Sequence, residues 1–325
     1  MRHWRRLLGG VVLVTVCGAS TALAVVARRE AHTLVTNPTA SRHMPGRTPG
    51  DYGLPWDDVA VPAADGVWLA AWYVPSANGA VVLLQHGYKA DRGEMLNEAE
   101  MLHRHGYGAL IPAMRAHDRS GGELITFGLR EAPDMGVWID WLAQRDDVTG
   151  GRIGVLGNSL GGTIAIEHAA VDPRVRALVA NSAFSSLDDT IETSIRFFTG
   201  LPPFPFAPLI VFWAERETGL DVDSVDAKRW IGRLSPRPVL LMQGGKDSVI
   251  SPASGRMLYD AAGEPRELWF DEGLRHAAFD TARPEEYERR VVGFFDRYLH
   301  PDAADAPAAP GPAVAGGGQA KQERW

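Results

Sequence analysis

The run Arg152-Ile153-Gly154-Val155-Leu156-Gly157-Asn158-Ser159-Leu160-Gly161-Gly162-Thr163-Ile164-Ala165 constrains this chain more than any other stretch. Ile153 to Leu156 is a short apolar run that predicts a buried strand, and Gly161 onward predicts a helix carrying Ile164, Ala165 and His168. Between them, Gly157-x-Ser159-x-Gly161 sets a glycine two residues to either side of a serine. On so sharp a strand-to-helix turn the serine hydroxyl stands above the sheet edge. The glycines remove Cβ atoms that would strike neighbouring backbone. The first helical N–H then points to where an oxyanion would form. The bland explanation is an ordinary βα turn with a capping serine, and the flanking strand and helix disfavour it.

Strand and helix alternate through the chain around this turn. Trp56 to Val61 and Val67 to Val74, joined by Ala64-Asp65-Gly66, predict an antiparallel hairpin. Ala80 to Gln85, Ala109 to Pro112, Val175 to Ala180, Pro238 to Met242 and Leu268 to Phe270 predict further strands. Helices are predicted from Met95, Ala99 and Leu102, from Met135, Trp138, Ile139 and Leu142, and from Tyr287, Val291, Phe294, Phe295 and Tyr298. This is the pattern of an α/β domain, a mostly parallel central sheet with helices on both faces, over 56–299. Residues 183–234 break the rhythm and exceed what one crossover helix needs. They are expected either to add core or to form a lid, with Phe204, Phe206, Phe212 and Trp213 as candidates for an apolar substrate wall.

The two ends lie outside that pattern. Leu7 to Ala27 runs without a charge behind Arg2, Arg5 and Arg6, and at about 1.5 Å per residue such a helix spans a hydrocarbon core of roughly 30 Å. Residues 1–29 are therefore expected to be a single-pass membrane anchor with the domain outside the cytoplasm. Ala22-Leu23-Ala24 offers the alternative of a cleaved signal and a secreted protein. Turn formers fill 30–55, which reads as a linker, and the Ala/Pro/Gly-rich 300–325 reads as a disordered tail. The net charge of −7, with no basic run beyond the N-terminus, excludes an electrostatic footprint for nucleic acid. A single cysteine, Cys17, excludes an internal disulfide and a multi-cysteine zinc site.

A serine nucleophile needs a base, and the base needs an orienting acid. His276 follows the last predicted strand and so projects from the C-terminal sheet edge, where sites gather. His168 is nine residues into the helix after Ser159, about 13 Å away, and reads as a surface or core residue. His103 and His105 have no carboxylate or cysteine at ligand spacing. Asp247, in Gly244-Gly245-Lys246-Asp247, follows another strand, and the order Ser159, Asp247, His276 suits a triad. Asp271 and Glu272 are alternative acids, less well placed in the loop that holds His276.

With these residues in view, the chain resembles the α/β-hydrolases over about residues 56 to 299, close to membrane-anchored serine hydrolases and the serine aminopeptidase-like group. Asp65-Gly66, His86-Gly87-Tyr88, Arg115 to Gly122, Gly157 to Gly162, Arg237-Pro238-Val239, Gly244 to Asp247 and His276 carry the resemblance. It implies an oxyanion hole made by the N–H groups of Leu160 and Tyr88, with no metal or organic cofactor. One departure is visible. Where the family reads Asp-x-Arg-Gly-His-Gly-x-Ser, this chain has Ala113-Met114-Arg115-Ala116-His117-Asp118-Arg119-Ser120. The expected substrate is a small acyl ester. The alternative is a short peptide, whose amine would need a carboxylate such as Glu215, Glu217, Asp221 or Asp223. A catalytically idle binding or scaffold protein is the third reading.

Overall fold

The computed structural model describes residues 2–300. The tail expected from residue 300 therefore lies, from 301 onward, outside the described residues. Eight strands form one sheet: β1 Asp57–Pro62, β2 Trp68–Val74, β3 Ala80–Gln85, β4 Gly108–Pro112, β5 Arg152–Asn158, β6 Val175–Asn181, β7 Val239–Gly244 and β8 Arg266–Asp271. Their order is β1-β2-β4-β3-β5-β6-β7-β8. The first two pairings are antiparallel, including the expected β1–β2 hairpin, and the rest are parallel. Ten α-helices accompany the strands among the described residues: α1 Arg2–Val35, α2 Leu96–Arg104, α3 Glu131–Leu142, α4 Leu160–Val171, α5 Leu187–Thr199, α6 Pro203–Thr218, α7 Ala227–Ile231, α8 Ala253–Ala261, α9 Phe279–Ala282 and α10 Pro284–Leu299.

Strand β3 shows how the sheet makes two cores. All six of its residues are buried, as a strand covered on both faces requires. Val81 and Leu83 face the core beneath α3 and α4, whereas Ala80, Val82 and Leu84 face the core beneath α2 and α10. The stripe Tyr287, Val291, Phe294 and Phe295 on α10 is buried in the second core.

That second core also holds a carboxylate. Glu98 of α2 is fully buried, accepts a hydrogen bond from the Tyr287 hydroxyl at 3.1 Å, and is pushed up to about 8 by burial, with Asp280 and Glu94 adding to it. Glu167 of α4 is raised to about 8 for the same first reason. A carboxyl whose folded pKa is raised binds a proton that the unfolded chain releases. Its stabilisation is complete below the unfolded value and is lost as pH rises through the folded one. Stability, and with it the thermal midpoint, is accordingly expected to fall between about pH 4.5 and 8, the free energy by no more than about 1.4 kcal/mol per pH unit for each group. Glu98→Gln should flatten that slope and stabilise the protein at pH 8. Calorimetry from pH 5 to 8 checks it, and an unchanged slope would exclude Glu98 as a source.

Residues 30–55 are not a free linker. Helix α1 continues to Val35, and Ala27 and Ala31 are fully buried against α5 and α6. Beyond it, Val35 accepts the Ile125 N–H at 2.8 Å and Asn37 donates to Glu123 at 2.8 Å. The Arg42 guanidinium donates to the Ser120 carbonyl at 2.5 Å and also holds that of Gly122. Turn formers correctly announce irregular backbone, but they do not reveal that its polar groups are spent on the loop before α3.

The loop after β4 carries the departure from the family pattern. Ala116 and Asp118, where the family has glycine, take left-handed backbone with φ of 59° and 45°. Such a conformation costs a residue with a Cβ roughly 1–2 kcal/mol. Around Asp118 the surroundings compensate: buried Arg92 donates to both its oxygens at 2.6 and 3.3 Å and stacks over Trp72 at 4.2 Å. Arg115 similarly joins Asp134 at 2.6 Å and Asp65 at 2.9 Å, tying the hairpin turn to α3.

Candidate active site

Ser159 sits between β5 and α4 with φ 53° and ψ −121°, a strained conformation for a residue with a Cβ. The close approach around it explains the two glycines. A Cβ on Gly157 would lie 2.4 Å from the Gly161 carbonyl oxygen, and one on Gly161 would lie 2.5 Å from the carbonyl oxygens of Gln85 and His86. The Ser159 carbonyl accepts the N–H groups of Gly162 and Thr163, while the Leu160 N–H is the first of the helix and has no intrahelical acceptor.

Asp247 and His276 meet over the same sheet edge, from the loops after β7 and β8. His276 Nδ1 donates to Asp247 Oδ2 at 2.7 Å. The Asp247 side chain is fully enclosed: Oδ1 accepts the Val249 and Ile250 N–H groups, both at 2.9 Å, and Oδ2 also accepts from Gln243 at 3.2 Å. The rival acid Asp271 is engaged elsewhere, accepting the Gly273 N–H at 2.8 Å and pairing with Arg283 at 3.3 Å. His168 is buried beside Asp172, 3.3 Å away, and His105 lies on Glu288 of α10 at 2.8 Å.

Sequence reasoning assigned no role to six side chains that fix this edge. Two are histidines whose rings are structural. His86 Nε2 accepts the Met114 N–H at 3.1 Å, and burial first, then His117 and Arg92, holds the ring neutral with a pKa of about 3. His117 Nε2 accepts the Lys89 N–H at 3.0 Å, and burial lowers it to about 4. Glu94, raised by burial, accepts the Gly87 N–H at 3.0 Å and the Asn158 amide at 3.2 Å. The N–H groups on either side of Tyr88 are thus clamped by Glu94 and His117, and that of Tyr88 is engaged by neither. Asn181 continues the chain. Its amide donates to Asn158 at 3.0 Å, Ser182 bonds Asn181 at 3.4 Å, and Ser182 Oγ accepts the Ala277 N–H at 3.0 Å. One buried series of hydrogen bonds so joins the loops carrying Tyr88, Ser159 and His276. A polar residue at the end of a buried strand, as at Asn158 and Asn181, was the available signal.

Ser159, Leu160 and Tyr88 form one side of an apolar cavity of about 110 Å³. Helices α5 and α6, bent 99° from each other, roof it with Ile191, Ile195, Phe198, Ile210 and Ala214. Leu34 and Val35, at the end of α1, close it. The four candidate wall residues do not line this cavity. Phe204 is 83% exposed, Phe212 points outward beneath Arg216 at 4.5 Å, and Phe206 and Trp213 pack toward α1. The reason is helical phase: Ile210, Ala214 and Thr218 share the inward face of α6.

A family model described as X-Pro dipeptidyl-peptidase (S15 family) matches residues 65–199. The α/β-hydrolase domain-containing protein WAV2 of Arabidopsis thaliana is 25% identical over 304 residues, covering 89% of this chain and 92% of the relative. An esterase of Pyrococcus furiosus, Pf2001, superposes with a TM-score of 0.70 at 26% identity, over 82% of this chain and 98% of that one. An uncharacterised protein of Mycobacterium tuberculosis is 30% identical over 223 residues, covering 67% of this chain and 72% of the relative. The chain belongs to the α/β-hydrolase superfamily. Within the superfamily's sheet, Ser159, Asp247 and His276 follow β5, β7 and β8, and Tyr88 follows β3. The superfamily match and the esterase neighbour mark the protein as a hydrolase.

Proposed function

We propose that the protein is a serine hydrolase of carboxylic esters, held at a membrane by α1. Ser159 attacks the acyl carbon and gives its proton to His276, which Asp247 holds in the tautomer that accepts it. The N–H groups of Leu160 and Tyr88 receive the oxyanion. His276 then protonates the leaving alcohol, and water, activated by the same histidine, releases the acid from the acyl-enzyme.

The observation that carries the ester reading is the cavity beside Ser159. Among the described residues no charged side chain lines it. The peptidase reading, which the S15 match favours, needs a carboxylate to hold a substrate amine. Three of the four candidates are occupied elsewhere: Glu217 pairs with His32 at 2.5 Å, Glu215 accepts the Val222 N–H at 3.0 Å, and Asp221 accepts that of Asp223 at 3.1 Å, while Asp223 itself is exposed and outside the cavity lining. Among the described residues one long apolar helix, with mean hydropathy 2.2 over its best window, suits an anchor or a signal sequence. Its uncharged length and the stop at Arg28-Arg29 support the anchor, and three arginines before the run against two after it favour the hydrolase domain outside the cytoplasm.

The cavity of about 110 Å³ is smaller than the roughly 150 Å³ that admits a benzene, so it should accept about four to six carbons. At about 0.8 kcal/mol per buried methylene, kcat/KM for p-nitrophenyl esters should rise about fourfold per carbon from acetate to this length. Ala214→Phe should fill the space, cutting hexanoate turnover tenfold or more while acetate hydrolysis persists. Aminoacyl-prolyl anilides run in parallel test the peptidase reading. Faster anilide than ester turnover would reverse the assignment, and a flat chain-length profile would remove the acyl pocket.

A further inference from the structure

Helix α1 does more than precede the domain. Its residues 10–22 are exposed, and then one stripe goes inward: Leu23 and Ala24 are half-buried, Ala27 and Ala31 fully buried, Leu34 half-buried. The partner of that stripe is the lid. Arg28 lies over the Trp213 ring at 5.2 Å and His32 meets Glu217 at 2.5 Å, so α1 and α6 run in the same direction. The start of α6 therefore points back along α1, toward its apolar run. Because the uncharged run Leu7–Ala27 ends inside this contact, any bilayer that receives α1 meets the lid at its surface.

The side chains exposed there suit that surface. Phe204 is 83% exposed in the first turn of α6, and Phe197 is 52% exposed at the end of α5. Arg28, Arg29 and Arg216 flank the groove between the two helices. Exposed aromatics with cationic neighbours are the composition of a membrane interface. The distance is short as well. From Ala27, where the uncharged run ends, to Leu34, which lines the cavity, is seven residues, or about 10 Å of helix.

We propose that the α5–α6 lid rests in the bilayer interface and that the cavity receives its acyl chains from the membrane, making lipid-borne carboxylic esters the substrate class. This rests on the ester-hydrolase and anchor readings above. The occupant of the exposed phenylalanine face is lipid, because that face continues the apolar surface of α1.

Full-length protein in phosphatidylcholine vesicles tests it with two readouts. Phe204→Cys in a Cys17→Ser background carries a nitrobenzoxadiazole probe, and Arg289→Cys on exposed α10 serves as the control. Brominated acyl chains should quench the probe at 204 at least threefold more than the one at 289. Equal quenching overturns the placement, as does a probe shielded from water yet not quenched, which would mean that a second copy covers the lid. For substrate, Phe204→Asp and Phe197→Asp, both surface changes, should leave soluble p-nitrophenyl butyrate hydrolysis within about twofold. Release of hexanoate from octadecyl hexanoate dissolved in the vesicles should drop tenfold or more. Equal loss on both substrates, or on neither, overturns the membrane supply. A wild-type protein inactive on every ester overturns the substrate class, while the quenching result still decides where the lid lies.

Discussion

Ser159→Ala is expected to abolish covalent labelling by a fluorophosphonate and to lower kcat for soluble esters by roughly 10⁶, the scale on which a nucleophilic serine acts with its base. Binding should survive, because Ser159 is one small side chain among the many that line the cavity. The fold should survive too, because the tight approach at the elbow belongs to Gly157 and Gly161. A companion variant sharpens the test. With φ 53° and ψ −121°, Ser159 stores strain that alanine keeps and glycine relieves. Relief of roughly 1–3 kcal/mol outweighs the 0.4–1 kcal/mol that glycine adds to the freedom of the unfolded chain. Ser159→Gly should therefore be as inactive as Ser159→Ala but melt higher. Stoichiometric labelling of either variant would dismiss Ser159 as the nucleophile.

Asp247→Asn is expected to reduce kcat by about 10⁴. The hydrogen bonds around the carboxylate give the reason. Oδ1 is held by two backbone N–H groups, from Val249 and Ile250, so the asparagine oxygen belongs there and its NH₂ must face His276. A donor opposite Nδ1 forces the proton to Nε2, and the ring can no longer accept one from serine. Asp271→Asn should change kcat only about twofold, since its carboxylate serves a turn and a partly exposed arginine. Steady-state ester kinetics on the two variants decide between the acids, and the reverse ranking would move the orienting role to Asp271.

What the sequence made legible was whatever depends on chain order. Alternating apolar runs gave the parallel sheet, and residues immediately after strands had to emerge at one edge, which is why Asp247 and His276 could be paired without coordinates. What depends on lateral contact was hidden. The Glu94–Asn158–Asn181–Ser182 series links residues up to 95 positions from their partners, counting its end at Ala277, and no local pattern announces it. The phase of α6 was lost because aromatic density, and not helical spacing, selected the wall, so Phe204, Phe206, Phe212 and Trp213 were preferred over Ile210 and Ala214. Ala116 and Asp118 show the opposite lesson. A left-handed position can be held without glycine, when a partner such as Arg92 fixes the residue that stands there.

The unbroken passage of α1 into the lid contact sets the mechanics of the assembled protein. A domain on a flexible tether tumbles freely and samples its surroundings in all directions. Here the same helix would be fixed in the bilayer at one end and clamped by Ala27, Ala31 and Leu34 at the other. The domain would then be oriented as a lever on a fulcrum, with one face always presented to the membrane. Its encounters with substrate would become a search in two dimensions, at a rate governed by lipid diffusion and not by the concentration of ester in water.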